Sequence, residues 1–314
     1  FFSTLTLADG LFTLLLLLSI FLLFAALDSP GADRKKLFFS GLFLGYAVLV
    51  RPIGQFLPLL YLGYLFLKLP QRKLLLKAGI VFLIPLVIVI GSWMLRNKII
   101  MGTWQLSTVR DSNLAYFSIL YLKEKEGTSP ELLIEELVKK VGGQDSLALA
   151  TPEAQPVNRE FARSVISSHP FSYLKFHLVK TIPFFLNDGL RDIERTLRLN
   201  NAPPPNITGL LLRGDLGALG DVLKSGGRDI VYLLAGSGVL GLLFFGALLE
   251  TLRGIFEPRR RIFIAFFASF ILYFALLTGP IANARYRLPV APLLFLLGVA
   301  GLGYLFSRIR FSKS

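Results

Sequence analysis

Cysteine is absent from this chain of 314 residues, and histidine occurs only twice. The absence of cysteine excludes a disulfide scaffold, thiolate metal sites and cysteine nucleophiles. Neither His169 nor His177 has an acidic or histidine neighbour at the spacing of a metal-binding motif, which favours structural roles for both. A phosphate-binding glycine loop and a nucleophile elbow are also missing. Any chemistry must therefore rest on other groups.

Charged residues are scarce as well, at 17% of the chain against 54% hydrophobic residues. This is too little charge for the surface of an ordinary soluble domain. Apolar stretches that approach or reach the roughly 20 residues needed to cross a hydrocarbon core occupy residues 11–27, 79–95, 230–249, 262–277 and 288–306. Continuous runs of this kind indicate helices and not the alternating strands of a membrane barrel. We predict an all-α, polytopic membrane helix bundle.

The net charge of +14 would suggest a nucleic-acid partner in a soluble protein. Here the basic residues lie in short clusters that flank the apolar stretches, where they orient a membrane protein. We therefore expect no nucleic-acid partner. Because basic clusters normally stay in the cytoplasm, that side is predicted for residues 33–36, 71–77, 257–261 and 308–313.

Counting crossings between these clusters predicts about seven membrane segments. Residues 37–69 must leave and return as a helical hairpin, with its bend at Arg51-Pro52 because proline disfavours helix in the residue before it. The first arm, residues 37–50, is short enough to be re-entrant. The predicted division is membrane helices at 1–95, an extracytoplasmic and mainly helical segment at 96–228, and membrane helices at 229–314.

Within the extracytoplasmic segment, Ser129-Pro130-Glu131 is typical of a helix start, and Gly142-Gly143 of a helix end. A second helix is predicted at 158–168. Residues 171–185 combine aromatic and basic side chains, which predicts an amphipathic helix on the membrane surface. Residues 202–205 read as a proline-rich linker.

The predicted topology places a few charged residues at the outer ends of the spans: Asp9, Arg51, Arg96, Arg285 and Arg287. An ionisable group at membrane depth is costly, and so it suggests function. Guanidinium groups gathered at one face would form an anion site, and arginine suits bidentate contacts with phosphate. A phosphate carried on a membrane lipid is the expected partner.

Simpler interpretations exist for several of these residues. Arg51 and Arg96 can extend to the outer headgroups, Asp9 can cap the first helix, and Tyr286 can anchor the chain at the interface. The preference of basic residues for the cytoplasmic side does not explain two cations in a tight outer turn. The Arg285-Tyr286-Arg287 turn is therefore the strongest site prediction.

Several tracts match, in order and spacing, a known pattern: Leu49-Val50-Arg51-Pro52, Ser92-Trp93-Met94-Leu95-Arg96-Asn97 with Gly102, Ser107-Thr108 and Ser112-Asn113-Leu114, and Arg285-Tyr286-Arg287-Leu288-Pro289-Val290-Ala291-Pro292. On these tracts the chain resembles bacterial polytopic glycosyltransferases of the GT-C fold. That group includes protein O-mannosyltransferase-like proteins and the aminoarabinose transferase acting on lipid A. The tracts are spread along the chain from residue 49 to residue 292, although each is short.

The resemblance implies an enzyme of the bacterial cytoplasmic (inner) membrane that faces outward. It would move a sugar from a polyprenyl-phosphate donor to an acceptor lipid, glycan or protein. Arg285, Tyr286 and Arg287 would bind the donor phosphate, with Arg51 and Arg96 as further candidates. Sugar, acceptor and any use of a divalent metal are left open.

The resemblance also concerns acidic residues. Asp9 would be a supporting acid, because the family's principal acidic residue lies in the first outer loop. The chain begins at Phe1 without an initiator methionine, so we expect that principal acid upstream. A transporter or flippase of an anionic lipid is the alternative, for which inverted repeats and cations at mid-membrane depth would be expected. A scaffold subunit without chemistry is a third possibility.

Overall fold

The computed structural model describes residues 2–186, 214–215, 217–218, 220–221, 227–282 and 284–311. It is 85% helical, without a strand in these ranges, which confirms the prediction of an all-α protein. The chain divides into two compact units: the N-terminal unit is Ala8–Val179, and the C-terminal unit combines Phe1–Leu7 with Lys180–Ser314. The division predicted at residues 95 and 228 stays a prediction. The predicted linker at 202–205 lies outside the described residues.

The chain begins with the helices α1 (Phe2–Leu27), α2 (Arg34–Val50), α3 (Leu57–Lys68) and α4 (Arg72–Met101). A short 3-10 turn, Pro52–Phe56, joins α2 to α3. Arg51, just before this turn, has an extended backbone with φ −140° and ψ 109°. The predicted bend at Arg51-Pro52 is therefore confirmed, and its cause is the proline.

Glycines on one face of α2 allow it to pack closely against α4. A Cβ atom at Gly41 would collide with the carbonyl oxygen of Phe82, and one at Gly45 would lie 3.1 Å from the Cβ of Val89. Residues four apart share one face of a helix, so both glycines meet α4 along the same seam. Small residues at this spacing are a common way for helices to associate in membranes.

A pair of serines joins α1 to α2. The Ser19 hydroxyl donates to the Ser40 carbonyl oxygen at 2.7 Å, and the Ser40 hydroxyl donates to the Ser19 carbonyl oxygen at 2.8 Å. Both side chains are fully buried. Hydrogen bonds between helices in an apolar environment contribute about 1 kcal/mol each. This pair fixes the register of α1 against α2.

The polar part of the N-terminal unit contains α5 (Val109–Glu126), α6 (Pro130–Lys140) and α7 (Gln155–Ser168). The predicted start of α6 is confirmed, because Ser129 is its N-cap and the Ser129 hydroxyl oxygen accepts the N–H of Leu132 at 3.4 Å. The second predicted helix is also present, and α7 begins three residues earlier than the 158 expected from sequence.

The next helix, α8 (Pro170–Leu186), confirms the helix predicted at 171–185. Two of its buried aromatic rings, Tyr173 and Phe176, are both 8% exposed and cluster with Tyr121 of α5. The exposed apolar residues lie on another face and include Phe171 and Leu174. The aromatic residues of α8 therefore divide between a packed face and an exposed face. Its position on a membrane surface stays a prediction.

The C-terminal unit contains the later helices α9 (Gly227–Phe256), α10 (Arg261–Thr278), α11 (Ala284–Arg287) and α12 (Ala291–Phe311). Helices α9 and α12 cross at glycines. A Cβ atom at Gly246 would collide with the carbonyl oxygen of Gly298, and one at Gly298 would lie 2.8 Å from the Leu243 carbonyl oxygen. A Cβ atom at Gly301 would collide with the Gly246 carbonyl oxygen. The two helix backbones are therefore in direct contact.

Several described helices are long and apolar enough to cross a membrane, in five stretches: Ala8–Leu27, Arg72–Met101, Gly238–Phe256, Arg261–Ile281 and Ala284–Ser307. Helices α2 and α3 have only 17 and 12 residues. A helix of 12 residues is about 18 Å long, shorter than the roughly 30 Å of a hydrocarbon core. The count of about seven crossings is therefore not confirmed. The orientation of the helices stays a prediction. A re-entrant hairpin and a hairpin that crosses the membrane twice both return the chain to the side where it entered, so either form of α2 and α3 fits that orientation.

Candidate functional site

The N-terminal unit brings two of the predicted site residues together. Arg51 Nη2 lies 2.6 Å from Asp9 Oδ1, and the two side chains are 17% and 3% exposed. Asp9 lies inside α1, which begins at Phe2, so the interpretation of Asp9 as a helix N-cap is wrong. The helix starts before the apolar run that suggested its beginning. The Asp9 carboxylate is therefore available to a side chain and is used by Arg51.

A glycine positions this ion pair. Arg51 ends α2, and the turn that follows passes close to α1 at Gly54. A Cβ atom at Gly54 would lie 3.2 Å from Cε2 of Phe12, tighter than ordinary contact. Phe12 is fully buried and lies three residues after Asp9, on the same side of the helix. The close approach at Gly54 thus holds the end of α2 against the part of α1 that carries Asp9.

Arg96 has a different set of neighbours, at the end of α4. Its Nη1 donates to Asn97 Oδ1 at 3.0 Å, and its guanidinium carbon lies 4.8 Å from the centre of the Trp93 ring. Both Arg96 and Trp93 line a hollow of about 230 Å³, and neither Asp9 nor Arg51 lines it. The structure therefore places Arg96 in a hollow of its own within the N-terminal unit.

The Arg285-Tyr286-Arg287 turn belongs to the C-terminal unit, where α11 contains all three residues. Arg287 is 6% exposed and its Nη1 donates to the carbonyl oxygen of Phe184 at 2.6 Å. The same guanidinium lies 5.9 Å from the centre of the Phe244 ring. Arg285 and Tyr286 are partly exposed. Arg287 therefore ties the turn to the end of α8 and to α9, a structural contact that the sequence did not indicate.

The predicted residues thus fall into two groups. Asp9, Arg51 and Arg96 lie in the N-terminal unit, and the turn with Arg285 and Arg287 lies in the C-terminal unit. Their convergence on one phosphate stays a prediction. Within each group, the structure adds partners that stabilise the positive charge: a carboxylate, an aromatic ring or a backbone carbonyl.

Sequence reasoning missed a buried acid in the polar part of the N-terminal unit. Asp111 has a side chain that is 4% exposed, and its carboxylate lies 2.9 Å from Arg110 Nε and 2.7 Å from Arg159 Nη2. Burial raises the pKa of Asp111, but the hydrogen bonds and charges of the two arginines outweigh burial, so the pKa lies below its usual 3.8. The ion pair between Asp111 and Arg159 joins α5 to α7. The sequence signal that could have revealed Asp111 is an acid in the first turn of a helix.

A second missed acid is Glu250, which lies in the candidate span Gly238–Phe256 of the C-terminal unit with its side chain fully buried. Arg253 Nη1 lies 3.3 Å from Glu250 Oε2, and Arg260 forms a close ion pair with Glu250 Oε1. The basic cluster at 257–261 was predicted only to orient the chain. The structure shows that Arg260 also neutralises a buried carboxylate.

No group of three or more histidines and acids that could hold a metal ion occurs among the described residues. His169 does have an acidic neighbour that the spacing did not reveal, since Nε2 lies 3.9 Å from Glu126 Oε1. That pair is partly exposed and holds only two candidate ligands. The four arginines among the candidate residues, Arg51, Arg96, Arg285 and Arg287, carry guanidinium groups, which suit anions.

Fold and site define a class: an all-α protein with several helices long and apolar enough to span a membrane, and with buried acid–arginine pairs among them. No family model matches the chain, and neither a curated protein nor a solved structure does.

Proposed function

We propose that the protein is an integral membrane glycosyltransferase. It moves a sugar from a polyprenyl-phosphate donor to an acceptor lipid, glycan or protein on the extracytoplasmic face of the bacterial cytoplasmic membrane. The observation that carries the proposal is the Asp9–Arg51 pair, 2.6 Å apart and almost enclosed. Ionised groups at the end of an apolar helix are costly, and they are kept where they bind or move a charged substrate.

The proposed reaction is a displacement at the anomeric carbon of the donor sugar. The acceptor hydroxyl oxygen forms a bond to that carbon, and the bond from the carbon to the phosphate oxygen breaks. The electron pair of that bond leaves with the polyprenyl phosphate, and the hydroxyl proton passes to a carboxylate base. Guanidinium groups stabilise the negative charge that grows on the phosphate.

Each candidate residue has a role in this scheme. Arg285, Tyr286 and Arg287, which lie in the C-terminal unit, bind the donor phosphate, and a phosphate contact by Arg51 or Arg96 of the N-terminal unit stays a prediction. Asp9 is a positioning residue in this scheme, because its carboxylate is engaged by Arg51 and holds that guanidinium in place. The principal base is a different carboxylate.

The test is the replacement of Arg285 by Ala in the full-length gene product, assayed in membranes with a radiolabelled polyprenyl-phosphate sugar. Loss of one preorganised donor to a developing charge reduces turnover by about 10²- to 10³-fold. Arg163→Ala is the matched control, because Arg163 is an exposed arginine of α7 outside the proposed site. Unchanged turnover in Arg285→Ala would remove this arginine from the site.

A second assay separates transfer from transport. In proteoliposomes without acceptor, a transferase leaves a fluorescent lipid phosphate in its original leaflet, while a flippase moves it across. Translocation without any sugar transfer would replace the enzyme proposal with a transporter.

A further inference from the structure

The hollow at the end of α4 has the features of a small binding site. It lies where α4 turns towards α5, within the N-terminal unit, and its volume is about 230 Å³. Its polar lining is Arg96, Asn97, Thr103, Gln105, Ser107 and Thr108, beside the Trp93 ring. Pockets for drug-sized ligands run from about 300 to 1,000 Å³. This hollow therefore suits one small ring or head group and not an oligosaccharide.

The wall of the hollow is held by hydrogen bonds. Trp93 Nε1 donates to the Leu106 carbonyl oxygen at 3.3 Å, which fixes one edge of the ring. Asn97 is 5% exposed, and its Nδ2 donates to the Gln105 carbonyl oxygen at 2.9 Å. The guanidinium of Arg96 lies between these two side chains. A ligand would thus meet a preformed surface, which lowers the entropic cost of binding.

The polar groups of the hollow require both kinds of hydrogen-bond partner. Gln105 Oε1 is buried and accepts no hydrogen bond from any described residue. The hydroxyl oxygens of Thr103 and Ser107 accept backbone N–H groups at 3.3 Å and 3.2 Å, which leaves their hydroxyl protons to donate. Arg96 supplies further N–H donors. A ligand that completes this set must accept from these donors, and it can donate to Gln105 Oε1 once that side chain turns towards the hollow.

We propose that the hollow binds a single sugar ring. Each sugar hydroxyl both donates and accepts, so one ring can satisfy Gln105 Oε1 together with the donors of Arg96, Thr103 and Ser107. A phosphate diester offers acceptors only and leaves Gln105 Oε1 unsatisfied. The C–H face of a sugar suits the Trp93 ring. The inference deepens the proposed function and rests on it for the source of the sugar, which is either the lipid-linked donor or the acceptor.

The hollow carries its own reporter, because the only two tryptophans of the chain are Trp93 and Trp104. In a Trp104→Phe background, Trp93 is the sole source of indole fluorescence. We expect a saturable fluorescence change when the detergent-solubilised protein is titrated with methyl glycosides of hexoses and pentoses. Dimethyl phosphate, an anion without a hydroxyl group, should give no saturable change.

Substitutions of the lining residues test whether the glycoside binds in the hollow. Gln105→Ala removes the acceptor and should raise the apparent Kd for the glycoside about three- to tenfold. Gln105→Glu keeps acceptor oxygens and should retain binding, which also controls for folding. Thr103→Val should weaken binding, whereas Thr151→Val should not, because Thr151 is exposed and does not line the hollow.

Different failures have different meanings. A response to dimethyl phosphate alone, no response to any glycoside, or equal Kd values across the variants would overturn the sugar site. In transfer assays, a raised KM for the donor or for the acceptor in Gln105→Ala identifies the source of the ring. Unchanged KM values for both would overturn the inference and leave the glycosyltransferase intact. Saturable glycoside binding without any transfer would keep the site and overturn the enzyme.

Discussion

The membrane helices of both units contain a buried carboxylate paired with arginine, but the arginine partners differ in how exposed they are. Asp9 in the N-terminal unit and Glu250 in the C-terminal unit are buried carboxylates, with side chains 3% and 0% exposed. Asp9 is held by Arg51, which is itself 17% exposed. Glu250 is held by Arg253 and Arg260, each 36% exposed. The acid is buried in both places, but only Arg51 is also withdrawn from water.

Asp111 extends the comparison to the polar segment. Its side chain is 4% exposed, while those of Arg110 and Arg159 are 52% and 53% exposed. Three buried acids thus have arginine partners with increasing access to water. An ion pair is most demanding where both charges lose their hydration, because neither can be solvated if the other is removed. The order of exposure should therefore be the order of the cost of breaking each pair.

The largest effect is expected for Arg51→Ala. This change leaves Asp9 buried without its guanidinium, which should lower the free energy of unfolding by about 3 to 5 kcal/mol. Unfolding in mixed detergent micelles, followed by circular dichroism, measures the loss. The double variant Asp9→Ala with Arg51→Ala is the control, since it removes both charges and should recover part of the stability. A double variant no more stable than Arg51→Ala would contradict the buried ion pair.

A smaller effect is expected for Arg260→Ala. Glu250 keeps Arg253 at 3.3 Å, and the lost arginine is one-third exposed, so the cost should be about 1 kcal/mol. Arg259→Ala is the matched control, because Arg259 is exposed in the same basic cluster. If Arg260→Ala costs as much as Arg51→Ala, then access of the arginine to water does not set the cost.

The smallest effect is expected for the polar segment, and it depends on pH. The pKa of Asp111 is lowered in the folded protein, so the carboxylate contributes stability above the unfolded value of 3.8. That contribution is lost as the pH falls from about 4 through the lower folded pKa. Because both arginines are half exposed, we expect less than about 1 kcal/mol. Thermal melting from pH 6 to pH 3 should show this loss in the parent protein and not in Asp111→Asn, and equal slopes would refute it.

Local chemistry predicted some elements well. Ser129 and Pro130 mark the start of α6, because a cap hydroxyl and a proline in the first turn act within a few residues. The Arg51-Pro52 bend follows from a steric rule of one residue on its neighbour. The apolar stretches predicted the long apolar helices for the same reason, because mean hydropathy depends only on residues that are neighbours along the chain.

Contacts between distant residues could not be predicted in this way. The guanidinium of Arg287 meets a carbonyl oxygen 103 positions away, and no pattern around Phe184 indicates it. The ion pair of Asp9 with Arg51 depends on the close approach at Gly54, which is a property of two helices and not of either alone. Sequence identified charged residues worth explaining, and packing decided which of them meet.

The glycines at the helix crossings limit how this sequence can change. At Gly41, Gly246 and Gly301 any side chain would collide with a carbonyl oxygen of the neighbouring helix. Substitution there is limited by backbone geometry, whereas an apolar residue facing lipid can be exchanged for many others. Proteins of the same ancestry can therefore lose overall similarity and still keep these positions.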